Sequence, residues 1–167
     1  MKVAVIADTH RKHSLELTCL IELLLKEADT VIHAGDFTTG IGLESFILSG
    51  KLIGVSGNGD QNSVSELLPE KRLVTLENYR IGICHGHGTI GKTVERAYAV
   101  FQDEMVDIII FGHSHQPLIQ TKNRILMINP GSICSKRKER WYTYIMLKLG
   151  YQHITTEIKF MENSLIQ

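Results

Sequence analysis

The chain has 167 residues, of which 43% are hydrophobic and 22% charged. This is the size and mixture of one globular domain over 1–167, and it excludes a disordered, collagen-like or coiled-coil chain. Eighteen Lys and Arg balance eighteen Asp and Glu, so no global basic field exists to gather nucleic acid or an anionic membrane. Cys19, Cys84 and Cys134 are odd in number and widely spaced, which suits a reducing compartment better than a disulfide framework. The opening apolar run stops at Asp8, too short for a signal peptide, and no run approaches the ~20 residues of a membrane span. A soluble cytoplasmic domain is expected, with its oligomeric state left open.

In chain order, Val3–Ala7 reads as a strand running into Asp8. Ser14 is a candidate N-cap for a helix to about Ala28, with Glu16 in its first turn and a Glu22–Lys26 pair on the wet side. Val31 and Ile32 lead to Gly35-Asp36, Leu52–Ser56 to Gly57-Asn58, and Ile81–Cys84 to His85. Asp60 is expected to cap a short helix through Leu68. Thr93 is expected to cap a helix that carries Val94, Ala97, Tyr98, Phe101 and Met105 on one face. Ile108–Phe111 runs into Gly112-His113. Non-alternating Val/Ile runs are the mark of strands buried on both faces, and their alternation with helices implies parallel pairing. After Pro117 the segments Leu118–Gln120, Ile125–Ile128, Trp141–Leu147 and His153–Phe160 follow at short spacing and predict an antiparallel part. The expected class is α/β, with a mixed sheet or two stacked sheets.

In open α/β sheets ligands bind beyond the carboxyl ends of the strands. Five strand ends here each deliver a metal-capable side chain: Asp8, Asp36, Asn58, His85 and His113. Asp8 and His10, His85 and His87, and His113 and His115 are spaced by two, and in extended backbone such residues point to the same side. Asp8, His10, Asp36, Asn58, His85, His113 and His115 are more donors than one ion needs; they suit two ions sharing a carboxylate. Imidazole, carboxylate and amide together favour Mn, Fe or Zn over Ca or Mg.

The blocks Asp8-Thr9-His10, Gly35-Asp36, Gly57-Asn58-Gly59-Asp60, His85-Gly86-His87 and Gly112-His113-Ser114-His115 resemble those of the calcineurin-like metallophosphoesterases. Asn129-Pro130-Gly131-Ser132 is similar to a block of their small, YfcE-type phosphodiesterase branch. The resemblance spans residues 8 to 132 and implies a four-layer αββα sandwich of two stacked mixed sheets. It implies two divalent metal ions, Mn first, with Zn, Fe or Ni as alternatives. Asp8, His10, Asp36 and His115 would hold the first, and Asp36, Asn58, His85 and His113 the second, with Asp36 bridging. The implied reaction is hydrolysis of a small phosphate ester by a hydroxide between the ions. Larger members place a His after the Asn; Gly59 stands there here, which leaves His87 as the candidate general acid. The alternative is a binding scaffold of the same fold, similar to the retromer subunit.

Remaining polar residues have humbler expected roles. His33 reads as a core or supporting histidine, and His153 as an exposed one. His13 is a candidate substrate contact in the loop after the first block. Asn129–Ser132 reads as a tight turn. By alternation Cys84 points away from His85. The run Lys136-Arg137-Lys138-Glu139-Arg140 is a solvated loop or, in its functional reading, a basic lip in which Lys136 and Arg137 meet the non-reacting part of a substrate.

Overall fold

Val and Ile are stiff at χ1 and pack well on a pleated surface, and each Val/Ile run of this chain forms a strand. The computed structural model describes residues 1–10, 14–37, 43 and 47–162, with the backbone alone at 14–18, 20 and 21. The elements are β1 (Lys2–Ile6), α1 (Ser14–Glu27), β2 (Thr30–His33), β3 (Leu52–Gly54), α2 (Asn62–Ser65), β4 (Lys71–Leu76), β5 (Tyr79–Cys84), α3 (Thr93–Val100), β6 (Ile108–Ile110), β7 (Pro117–Lys122), β8 (Ile125–Pro130), β9 (Tyr142–Leu149) and β10 (Ile154–Met161). His13 and the Ser14 and Glu16 side chains lie outside the described residues.

Two five-stranded sheets result, in the orders β10-β9-β1-β2-β3 and β4-β5-β6-β8-β7. Both are mixed. β1, β2 and β3 are parallel neighbours, as are β5, β6 and β8. Antiparallel partners flank each parallel set. Period-two alternation assigns the faces. Val3, Val5, Ile32, Ile81, Ile83, Ile108, Ile110 and Ile145 fill the space between the sheets. Ala4, Ile6, Val31 and Met146 face outward onto Leu24 of α1 and Ala28 just beyond it. Cys84, Ile109 and Met127 face outward onto Ala97 and Phe101 in and beside α3. Each large aliphatic side chain so buried contributes about 1.5–3 kcal/mol. The layers are helix, sheet, sheet, helix, as expected.

Several local expectations need correction. β4 was not foreseen; it pairs with β5 through the two-residue turn Glu77-Asn78, with Glu77 at φ 52°. The antiparallel end divides between sheets, β7–β8 in one and β9–β10 in the other. Asp60 does not cap α2, whose N-cap is Gln61 without a side-chain bond. Thr93 does not cap α3: the N-cap is Lys92, and the Thr93 hydroxyl accepts from Arg96 instead. Because α3 ends at Val100, Met105 falls off its apolar face and is 83% exposed.

Candidate metal centre

The strand ends of both sheets meet at one edge. Asp8 and Asp36 follow the neighbours β1 and β2; His85 and His113 follow the neighbours β5 and β6. Pairing continues past the strands, with the Asp8 N–H on Gly35 O at 3.0 Å and the His10 N–H on Asp36 O at 3.1 Å. The backbone then leaves the extended region. Asp8, His10, Asp36, His113 and His115 have φ of 53°, 47°, 61°, 68° and 59°. Non-glycine residues held at such angles cost of order 1–3 kcal/mol each and cluster at functional sites. The alternation argument therefore reached the Asp8/His10 and His113/His115 pairs through the wrong geometry. Left-handed kinks, not extended backbone, turn these side chains to a common centre.

Two donor groups converge there: Asp8, His10 and His115, and Asp8, Asp36 and His85, each with its ligand atoms within 4.8 Å of one another. Asp8 Oδ1 lies 3.3 Å from His115 Nε2, 3.8 Å from His10 Nε2 and 3.9 Å from His85 Nε2. Asp36 presents one oxygen to each half, Oδ1 at 3.2 Å from His85 Nε2 and Oδ2 at 3.6 Å from His10 Nε2. Asp36 thus lies between His85 and His10, and Asp8 belongs to both donor groups. His113 stands edge-on to His85 with ring centroids 5.2 Å apart. The His113 backbone N–H donates to Asp8 Oδ2 at 2.9 Å. Asn58 is exposed on the rim between Gly57 and Gly59, and a Cβ on Gly59 would sit 2.8 Å from Asp36 Oδ2. His87 is exposed, its ring 5.9 Å from that of His85.

The chain orients these histidines through backbone carbonyls. His85 Nδ1 is 2.8 Å from Ala34 O, and His115 Nδ1 meets Ser135 O. A carbonyl only accepts, so each Nδ1 carries its proton and each Nε2 is turned to the carboxylates. Metal-ligating histidines are held in this way.

Burial opposes ionisation of Asp36, but His85, the Gly59 N–H and His10 outweigh it and hold the carboxyl well below the usual range. Burial opposes protonation of His85, yet Asp36 and Asp8 reverse that and raise its pKa above the ordinary value. For His10 and His113 burial wins, and both are lowered. Asp8 Oδ1 and His113 Nδ1 are buried with no hydrogen-bond partner among the described residues. His85 Nε2 is also buried without an aligned bond, its contact with Asp36 being one of charge. Buried polar atoms left this way call for an explanation. Together with an imidazole and carboxylate donor set, they fit divalent cations.

Residues that sequence reasoning undervalued hold this arrangement. Asp60 Oδ2 accepts from the N–H groups of Asp36 at 3.1 Å and Gly57 at 2.8 Å, tying the Gly57–Asp60 loop to Asp36. Ser132 donates to Asp8 O at 2.7 Å and accepts from Ser135 N at 2.8 Å, so it links Asp8 to the carbonyl that aims His115. Asn129, at the end of β8 rather than in a turn, donates to Gly112 O at 2.7 Å beneath His113. The signal was adjacency to the blocks. His33 is a buried support, 3.2 Å from the Thr9 hydroxyl and stacked on Phe37, and burial keeps its pKa far below the ordinary value. Cys84 faces the α3 layer and His153 is exposed, both as expected.

The basic run divides. Lys136 turns away, its Nζ on Arg140 O at 3.1 Å and over the Tyr142 ring. Arg137 is exposed, with a guanidinium nitrogen 3.5 Å from His113 O.

Residues 1–151 match the model of the calcineurin-like phosphoesterase superfamily domain. The chain belongs to that superfamily. The probable metallophosphoesterase YsnB of Bacillus subtilis is 32% identical over 175 residues, covering 98% of each chain. A phosphodiesterase of Methanocaldococcus jannaschii is 27% identical over 147 residues, covering 80% of this phosphoesterase and 85% of the relative. The crystal structure of Vps29 from Entamoeba histolytica with Zn²⁺ has the same fold, with a TM-score of 0.71 and 21% identity over 96% of this chain and 99% of that one. No helix among the described residues is long and apolar enough to cross a membrane.

Proposed function

We propose that this phosphoesterase is a dinuclear metal-dependent phosphodiesterase acting on a small phosphate ester. The observation that carries the reading is the convergence of Asp8, His10, Asp36, His85 and His115, with the two carbonyl-oriented Nε2 atoms facing the shared carboxylates. Asp8, His10, Asp36 and His115 would hold one ion; Asp36, Asn58, His85 and His113 would hold the other. Two such ions, when bound, would supply charge to the phosphoryl oxygens and lower the pKa of a water that serves as nucleophile. The chain's own share is placement: the Asp60 and Ser132 hydrogen bonds keep Asp36 and Asp8 in register, so little reorganisation is left for the reaction. His87, exposed with its ring 5.9 Å from that of His85, would give a proton to the departing oxygen. Arg137 is the cation of the lip that meets the substrate's charge, because the Lys136 ammonium is engaged elsewhere.

The test is hydrolysis of methyl p-nitrophenyl phosphate by the purified chain with Mn²⁺, with Zn²⁺ and with a chelator. Turnover with metal, lost on chelation and in Asp36→Asn, is the expected result. A second reading, a protein-binding scaffold, is compatible with the fold shared with Vps29. It predicts metal binding with no turnover under any of these conditions.

A further inference from the structure

The His85-Gly86-His87 block opens a loop that returns to the chain's third helix at Lys92, the N-cap of α3. Its own backbone does little to hold it. Among the described residues no backbone–backbone hydrogen bond begins or ends within residues 86–91. Gly86, Gly88 and Gly91 have φ of 81°, 142° and 75°, angles that glycine enters easily and leaves as easily. Ile90, the large apolar side chain of the loop, is 87% exposed. Burial does not anchor it either.

Arg96, one turn into α3, supplies an anchor. Its Nε donates to Gly86 O at 2.9 Å and its Nη1 to Gly91 O at 2.6 Å, the two ends of the loop. Its Nη2 donates to the Thr93 hydroxyl at 3.0 Å, which fixes the guanidinium to its own helix. The stem packs as well, since a Cβ on Gly88 would lie 2.7 Å from Arg96 Cδ. A guanidinium presents its N–H groups in a rigid planar fork, so one side chain spans both ends of the turn. These three acceptors are neutral oxygens, and the neighbouring Glu95 carboxylate pairs with Lys122 instead. The loop so held carries His87, its ring 5.9 Å from that of His85.

We propose that Arg96 is a positioning residue of this site: its guanidinium clamps the Gly86–Gly91 loop and so sets where His87 stands relative to the metal ligands. The proposal rests on the phosphodiesterase reading above and adds to it the residue on which the placement of His87 depends. Among the described residues Arg96 bonds no candidate metal ligand, so it acts through the loop backbone. Without the clamp the donor set stays in place while His87 drifts, and a misplacement of ~1 Å can cost about 10²-fold in rate.

Two readouts on the full chain test this. The first is backbone motion in the metal-free, ¹⁵N-labelled protein. Arg96→Ala should lower the heteronuclear NOE of the His87, Gly88 and Thr89 amides and leave those of β5 and α3 rigid. The second is kcat with Mn²⁺ on methyl p-nitrophenyl phosphate and on methyl phenyl phosphate, whose poorer leaving group depends more on His87. On the phenyl ester His87→Ala should lower kcat by about 10²-fold, the low end for a positioned acid. Arg96→Ala should lower it by about tenfold, within the same limit. Both should change the p-nitrophenyl ester far less and leave KM nearly as it is. In the His87→Ala background Arg96→Ala should cost little more, because the two residues act as one unit. Arg96→Lys keeps the charge and much of the stem without the fork, and should behave as Arg96→Ala does.

Rigid loop amides in Arg96→Ala, equal losses on both esters, an undiminished effect in the His87→Ala background, or wild-type rates in Arg96→Lys would each overturn the proposal. A loosened loop in Arg96→Ala, with no turnover of either ester by the wild-type chain, would uphold the clamp and refute the phosphodiesterase reading.

Discussion

Asp60 tests how far the site depends on residues that never touch a ligand. Its carboxylate satisfies two N–H groups in a loop laid over Asp36, and a buried donor left unmade costs about 1–3 kcal/mol. Asp60→Ala should lower the melting temperature and weaken metal binding in a titration, with Asp60→Asn intermediate because one acceptor remains. Unchanged metal affinity in Asp60→Ala would sink the positioning role. Gly59 is the second residue of consequence. From sequence it was a missing acid; in the structure a Cβ there would press on the Asp36 carboxylate. Gly59→Ala should therefore cut activity sharply with a small loss of stability, and Gly59→His should fail to supply a working acid. A Gly59→Ala enzyme with full turnover would show that the loop gives way easily. His85 adds a pH dependence. Asp36 and Asp8 raise its pKa above the ordinary value, so a cation at Nε2 would compete with a proton as the pH falls. Metal affinity should fall as pH drops through that raised value, and binding in weak buffer should release protons measurable by a pH indicator.

At the scale of elements, the sequence was most legible where the physics is local. Val3–Ala7 and Ile108–Phe111 declared themselves as buried strands because unbroken apolar runs rich in Val and Ile have few alternatives, and α1 closes at Glu27, one residue before the expected Ala28. β4 was missed because Lys71-Arg72 at its start reads as surface, while the cue lay in the Glu77-Asn78 turn joining it to β5. Caps were misjudged because Asp60 and Thr93 are good capping types whose side chains are used elsewhere: Asp60 accepts from the Asp36 and Gly57 N–H groups, and Thr93 from Arg96 one turn along α3. The donor set of the site was legible, since strand ends are a fixed place in this architecture. The left-handed backbone that aims it was not, because Asp and His enter the positive-φ region more often than most residues but still only in a small minority of positions. The sheet faces give a further prediction. Burial pushes the Cys84 thiol up to about 12, whereas Cys19 on α1 is exposed. At pH 8, alkylation should modify Cys19 rapidly and Cys84 only after denaturation. Fast modification of Cys84 in the native protein would mean that the α3 layer opens readily.

For the molecule as a whole, the site is a seam between two sheets. Asp8 and Asp36 come from the first; His85, His113 and His115 come from the second. Below the seam the sheets are held by non-directional apolar packing, which fixes their spacing but does little to fix their slide. At the seam, protein bonds already cross: His85 Nδ1–H donates to Ala34 O and the His113 N–H to Asp8 Oδ2. Charge works against them, since the Asp8 and Asp36 carboxylates share one small volume and Asp8 Oδ1 is buried with no hydrogen-bond partner among the described residues. A divalent cation bound by donors from both sheets would remove that repulsion and cross-link the layers, and it would do so only in the folded chain. Free metal at a hundred times its dissociation constant then adds about 2.7 kcal/mol. For a chain of this size that corresponds to a melting-temperature rise of roughly 5–10 °C. Scanning calorimetry with Mn²⁺ or Zn²⁺ and with chelator should show this rise. Asp36→Asn should lose most of it, having surrendered the charge shared by both halves, while His87→Ala, on the rim, should keep it. A rise of equal size in Asp36→Asn would mean that the ions bind elsewhere on the surface, and that the seam is held by its protein bonds alone.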